Sequence, residues 1–82
     1  MIVRVYSKPN CVQCMLTKNL LKSEGVSFVE EDITDPQNLE AAKSMGLLAA
    51  PVVVVGESGD DMWAGFQPDR IKEIARRINA GR

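Results

Sequence analysis

The hydrophobic and polar positions of the chain switch between two periods. Ile2-Val3-Arg4-Val5-Tyr6 is a β-branched run that predicts a strand over 2–6. Ser7-Lys8-Pro9-Asn10 breaks it, and Asn10 is the expected N-cap of a helix over 11–24 closed by Gly25. In that helix Cys14, Leu16, Thr17, Leu20 and Leu21 fall on roughly one face, with Lys18 and Lys22 on the other. A second strand is predicted over 26–31. Asp35-Pro36 opens the next helix, Asp as cap and Pro at the first helical position; it carries Leu39, Ala42 and Met45 and ends at Gly46. Pro51-Val52-Val53-Val54-Val55 is continuously apolar, as a strand buried on both faces would be. A turn over 56–60 and a short returning strand over 61–64 follow. Pro68 starts the last helix, with an apolar stripe of Ile71, Ile74, Ala75 and Ile78.

The order β-α-β-α-β-β-α predicts an α/β protein. A right-handed βαβ unit places the first two strands parallel, and the last two form a hairpin. The result is a four-stranded mixed sheet with helices on both faces, the thioredoxin fold in its minimal form. Fold alone does not give function.

Length and composition narrow the classes. Eighty-two residues, 45% hydrophobic and 26% charged, predict one soluble domain over 1–82. The longest wholly apolar stretch, 47–55, holds Pro51 and is too short to span a membrane. The N-terminal residues lack the basic and apolar blocks of a secretory leader, so a cytoplasmic protein is expected. A net charge of −1 offers no broad basic field for nucleic acid. The cluster Arg70, Lys72, Arg76, Arg77 and Arg82, broken by Glu73, fits the solvated face of a helix. With no histidine, the usual general base of Cys–His hydrolysis is missing.

The chemistry therefore centres on Cys11 and Cys14. In a reducing compartment two cysteines this close mean catalysis or metal more often than a structural staple. Cys11 stands where a loop enters a helix, so its sulfur faces unpaired N–H groups and the positive end of the helix dipole. Both favour thiolate and lower the pKa. Cys14, one turn later on the same side, is placed to resolve a mixed disulfide formed at Cys11. Three other readings stand beside this one. A structural disulfide closing so short a loop removes only about 2 kcal/mol of chain entropy. A zinc site needs four ligands and would have to be shared between chains. Two inert core cysteines are the third. No cofactor and no metal are expected in the redox reading.

Pro51 precedes a buried strand, an awkward place for a residue that cannot donate to the ladder. A cis Ala50-Pro51 bond would resolve this, facing the start of the first helix and exposing the backbone of Ala50 to an incoming peptide. An ordinary trans proline at a strand start is the alternative.

Val5-Tyr6-Ser7-Lys8-Pro9-Asn10-Cys11-Val12-Gln13-Cys14, then Ala50-Pro51-Val52-Val53, then Trp63-Ala64-Gly65-Phe66-Gln67-Pro68-Asp69, resembles the NrdH-redoxins across essentially the whole chain. These are glutaredoxin-like in sequence and thioredoxin-like in behaviour. The resemblance implies an electron donor to the large subunit of class Ib ribonucleotide reductase, re-reduced by NADPH-dependent thioredoxin reductase. Cys11 then matches the attacking thiol, Cys14 the resolving thiol and Pro51 the cis-proline. Val12, Gln13, Trp63 and Phe66 match partner-facing positions, although Trp63 and Phe66 also suit a core beneath the last helix. Ala64 and Gln67 depart from the Ser and Arg usual there. Lys8 matches a lysine that glutaredoxins use for the carboxylate of glutathione; a solvated loop lysine that mildly favours the Cys11 thiolate is its other reading.

Two rival functions follow. A glutathione-dependent glutaredoxin would carry Pro-Tyr between the cysteines, where this chain has Val12-Gln13. A non-enzymatic module would hold zinc or an iron–sulfur cluster between two subunits, whereas the redox carrier is expected as a monomer.

Overall fold

The computed structural model describes residues 2–44, 46, 50–56 and 61–80. Strand β1 (Val3–Ser7), helix α1 (Val12–Ser23), strand β2 (Val29–Asp32), helix α2 (Pro36–Ser44), strands β3 (Val52–Val55) and β4 (Asp61–Ala64), and helix α3 (Pro68–Ala80) follow in the predicted order. They build a four-stranded sheet in the order β2-β1-β3-β4. β1 pairs parallel with β2, Arg4 opposite Val29, and antiparallel with β3, Val5 opposite Val53. β3 and β4 pair antiparallel, with Val53 opposite Trp63. This is the mixed sheet of the thioredoxin fold.

Strand alternation sorts the core into two layers. Val3, Val5, Val53, Val55 and Trp63 pack with Leu21 of α1 and Ile71, Ile74 and Ala75 of α3. Val52 packs with Ile33, just after β2, and with Ala42 of α2, joined by Tyr6, Val54 and Ala64. β3 therefore meets apolar neighbours on both faces, which is why its sequence shows no alternation.

Several boundaries differ from the sequence reading. β1 runs one residue later than expected, leaving Ile2 partly exposed, and Ser7 pairs with Asp32 at its end. The strand expected over 26–31 starts only at Val29. Val26 is diverted because it closes α1: its N–H donates to Leu21 O at 2.9 Å, and the Gly25 N–H donates to Lys22 O at 3.1 Å. This is the Schellman ending, with Gly25 at φ 73°. Leu16, placed with the buried face, is exposed; the buried positions are Cys14, Thr17 and Leu21, at intervals of three and four. Leu39 is likewise exposed while Ala42 is buried. Asp35 caps α2 as expected, its Oδ1 accepting the Gln37 N–H at 3.1 Å. Met45, residues 47–49, the turn residues 57–60 and Arg82 lie outside the described residues.

Candidate active site

Asn10, expected to cap α1, sits instead at φ 58°, the left-handed region that Asn tolerates better than most residues. That turn hands the cap to Cys11, in extended backbone at φ −113° and ψ 107°. Its Sγ accepts the Cys14 N–H at 3.2 Å. The sulfur thus fills the role that a serine or aspartate oxygen fills at other helix starts. A hydrogen bond donated to sulfur, at the positive end of a helix, favours the charged form when the thiol is free. In this structure Cys11 and Cys14 are joined as a disulfide, their Cα atoms 5.2 Å apart. Cys11 is half-buried and Cys14 fully buried.

The 50–51 segment lies against this pair. The Ala50–Pro51 bond is cis, and Ala50 O is 3.9 Å from Cys11 Sγ. Pro51 O accepts the Gly65 N–H at 2.8 Å, and Gln13 Oε1 accepts the Phe66 N–H at 3.1 Å. Gly65 has φ 82°, and a Cβ there would stand 3.4 Å from Gln13 Oε1. Three segments distant in sequence are thereby held around one disulfide.

The expected site residues separate into groups. Val12 is strongly exposed beside Cys11, as a surface contact requires. Gln13 is exposed, and its side-chain oxygen accepts the Phe66 N–H across the surface. Trp63, for which both a docking surface and a core position are open in the sequence, is 3% exposed and belongs to the core; Arg70 lies over its ring at 5.6 Å and pairs with Asp61 at 2.9 Å. Its place on β4 directs it inward opposite Val53, so the core reading of this residue holds and the docking face does not. Phe66 is half-buried against the same core. Lys8 is exposed on the wall of a groove of about 510 Å³ that also contains Cys11, Cys14, Met15 and Lys18.

Met15, Ser7 and Glu30 carry no signal in the sequence reading, which places Lys18 on the helix face opposite Cys14; the structure instead brings Lys18 into the same groove as Cys11 and Cys14. Met15 is exposed and, with Val12, extends the apolar surface next to Cys11. Lys18 falls four residues after Cys14, a spacing that signals a shared helix side. Its Nζ donates to Glu30 Oε2 at 2.6 Å, and the buried Ser7 hydroxyl donates to the same oxygen at 2.7 Å. The Lys18 ammonium, and then the Ser7 hydroxyl, hold the Glu30 carboxyl below its ordinary range. Among the described residues no three His, Cys, Asp or Glu side chains converge on a point where a metal ion would sit, and no helix is long and apolar enough to cross a membrane.

With this geometry in place, likeness to known proteins becomes informative. Residues 3–59 match the family model for glutaredoxin. The glutaredoxin-like protein NrdH of Salmonella typhimurium is 36% identical over 76 residues, covering 90% of this chain and 89% of its own length. The NrdH of Lactococcus lactis subsp. cremoris is 36% identical over 75 residues, covering 90% of this chain and all of its own. Among solved structures, the NrdH-redoxin of Escherichia coli superposes with a TM-score of 0.84 at 33% identity, over 90% of this chain and 95% of that one. A glutaredoxin from Archaeoglobus fulgidus superposes with a TM-score of 0.70 at 28% identity, over 90% and 85% of the two chains.

Proposed function

The chain belongs to the glutaredoxin family, on its NrdH-redoxin branch, and is a thiol–disulfide oxidoreductase; from that premise we propose that it carries electrons from NADPH-dependent thioredoxin reductase to the large subunit of a class Ib ribonucleotide reductase. The observation that carries the order of events is the asymmetry of the pair: Cys11 is half-buried and capped by the Cys14 N–H, whereas Cys14 is closed to solvent.

Cys11, as thiolate, attacks one sulfur of the partner's disulfide. A Cys11–partner bond forms, the partner's S–S bond breaks, and one partner thiolate leaves. Cys14, deprotonated, then attacks Cys11 Sγ; the mixed disulfide breaks, and the partner's second sulfur departs as thiolate. Two electrons have passed to the partner, whose thiolates take up two protons from water or from the exchanging thiols. Thioredoxin reductase returns two electrons by the reverse exchange. Ala50, beside Cys11 Sγ, offers its carbonyl edge to the backbone of the incoming segment, with Pro51 fixing that edge. Val12 and Phe66 border the approach, and Gln13, exposed beside Val12, holds the Phe66 loop.

The Escherichia coli NrdH-redoxin is described by a thioredoxin-like activity profile, and the Val12-Gln13 dipeptide supports the same profile here. Lys8, on the wall of the groove with Cys11 and Cys14, favours a second reading in which glutathione is the reductant. The cytoplasm, a monomeric state and a single domain over 1–82 complete the proposal.

The test is deoxyribonucleotide formation by a class Ib reductase supplied with NADPH, thioredoxin reductase and this protein. Repeated turnover that stops when the protein is omitted is expected. No turnover, in a mixture where dithiothreitol supports the reductase, overturns the assignment of the acceptor.

A further inference from the structure

Among the described residues two polar side chains are buried, Ser7 and Thr17. Ser7 spends its hydroxyl on Glu30. Thr17 Oγ1 is sealed from solvent and has no hydrogen-bond partner. A helical threonine commonly returns its hydroxyl to the carbonyl three or four residues back, here Cys14 or Gln13, and Thr17 makes neither bond. An unpaired buried hydroxyl is a net cost in the disulfide state, and it favours any other state in which the hydroxyl gains a partner.

The helix supplies that other state. Cys14 and Thr17 are three residues apart on α1 and both belong to its buried face. At this spacing side chains are neighbours, and the Cα–Cβ bond of Thr17 tilts back toward the turn that carries Cys14. In the disulfide, Cys14 Sγ is tied to Cys11. Reduction frees it to turn about its Cα–Cβ bond inside the same closed surroundings.

We infer that Thr17 is a positioning residue for the buried sulfur, its hydroxyl engaging Cys14 only when the disulfide is open. It donates to the Cys14 thiolate or accepts from the Cys14 thiol, so either protonation state gains a partner that the disulfide lacks. Thr17 therefore shifts the equilibrium toward the dithiol, and it supports the thiolate that attacks Cys11 Sγ in the resolving step. This role depends only on exchange within the pair, and not on which proteins are the redox partners.

The test is the equilibrium with dithiothreitol: its two thiols form a ring disulfide while Cys11–Cys14 takes up two electrons and two protons. Thr17→Val keeps the shape and removes the hydroxyl. It is expected to favour the disulfide about tenfold over wild type, a lowering of about 30 mV for this two-electron couple. Thr17→Ala, which also lacks the hydroxyl, shifts the same way, and Thr17→Ser restores the wild-type potential. Thermal melts of the two redox forms provide a second readout. Thr17→Val leaves the oxidised form as stable as wild type or more so, and destabilises the reduced form. An unchanged or raised potential in both Thr17→Val and Thr17→Ala, or equal destabilisation of the two redox forms, overturns the inference.

Discussion

The backbone N–H of Cys14 points at Cys11 Sγ from 3.2 Å, so one cysteine caps the helix turn that carries the other. The two thiols are thus unequal before any partner arrives: one half-exposed and held as a hydrogen-bond acceptor, the other buried. Mixing Cys14→Ser with an oxidised protein substrate is expected to accumulate a covalent complex that dithiothreitol releases. Cys11→Ser is expected to form none. Non-reducing electrophoresis reads both, and a stable complex with Cys11→Ser alone would reverse the roles.

Gln13 ties the active-site helix to the loop before α3 through the Phe66 N–H. Gln13→Leu removes the acceptor. A typical hydrogen bond contributes about 1 kcal/mol, and in a domain of this size that lowers the melting temperature by about 4–8 °C. The Phe66 amide should exchange faster with solvent, and KM for the protein substrate should rise more than kcat falls. Unchanged Phe66 exchange would show that the bond does not hold the loop.

Trp63 is a core residue, so its substitutions test packing. Trp63→Ala is expected to cost about 3–5 kcal/mol, as large buried aromatics do. Trp63→Phe should cost less, because it also removes an indole N–H that is buried without a partner. Ile74→Ala, at a fully buried position, should cost about 2–5 kcal/mol. Urea unfolding measures all three, and a Trp63→Ala protein as stable as wild type would place the ring outside the core.

Glu30 provides a pH signature. Its carboxyl, lowered from 4.5 first by Lys18 and then by Ser7, gains a native-state interaction as carboxylate. The stabilisation is therefore present above pH 4.5 and is lost as the pH falls through the lower native value. Glu30→Gln removes it, so the stability gap between wild type and variant should be constant at neutral pH and close progressively as the pH falls below 4.5. The pair is solvent-exposed and the gap small, so 1 M salt should narrow it further. A gap that widens on acidification would contradict this assignment.

How much was legible in the sequence follows from the range of each interaction. The stripe Ile71, Ile74 and Ala75 and the run 52–55 are local patterns, and both elements appear where the pattern puts them. Cys11 at a helix start was equally local. The cap falls on Cys11 and not on Asn10, because asparagine serves both as a cap and as a left-handed residue, and only the neighbouring backbone decides which. The late start of β2 has a similar origin: Val26 suits a strand by type, yet the helix ending claims its N–H. Trp63 lay open between two readings until strand pairing set its side of the sheet. The Gln13–Phe66 bond joins residues 53 apart, and the Ser7–Glu30–Lys18 cluster meets only through the pairing of β1 with β2 and the return of α1. No periodicity encodes such meetings.

The dithiol is proposed to be recharged as a thioredoxin is, by NADPH-dependent thioredoxin reductase and not by glutathione. This is tested most directly by following NADPH loss with a model disulfide as acceptor, in two parallel mixtures. One contains thioredoxin reductase; the other contains glutathione and glutathione reductase. Steady NADPH consumption in the first and little above background in the second is the expected result. Efficient turnover only in the second would contradict it, and would make the Lys8 wall of the groove a glutathione site.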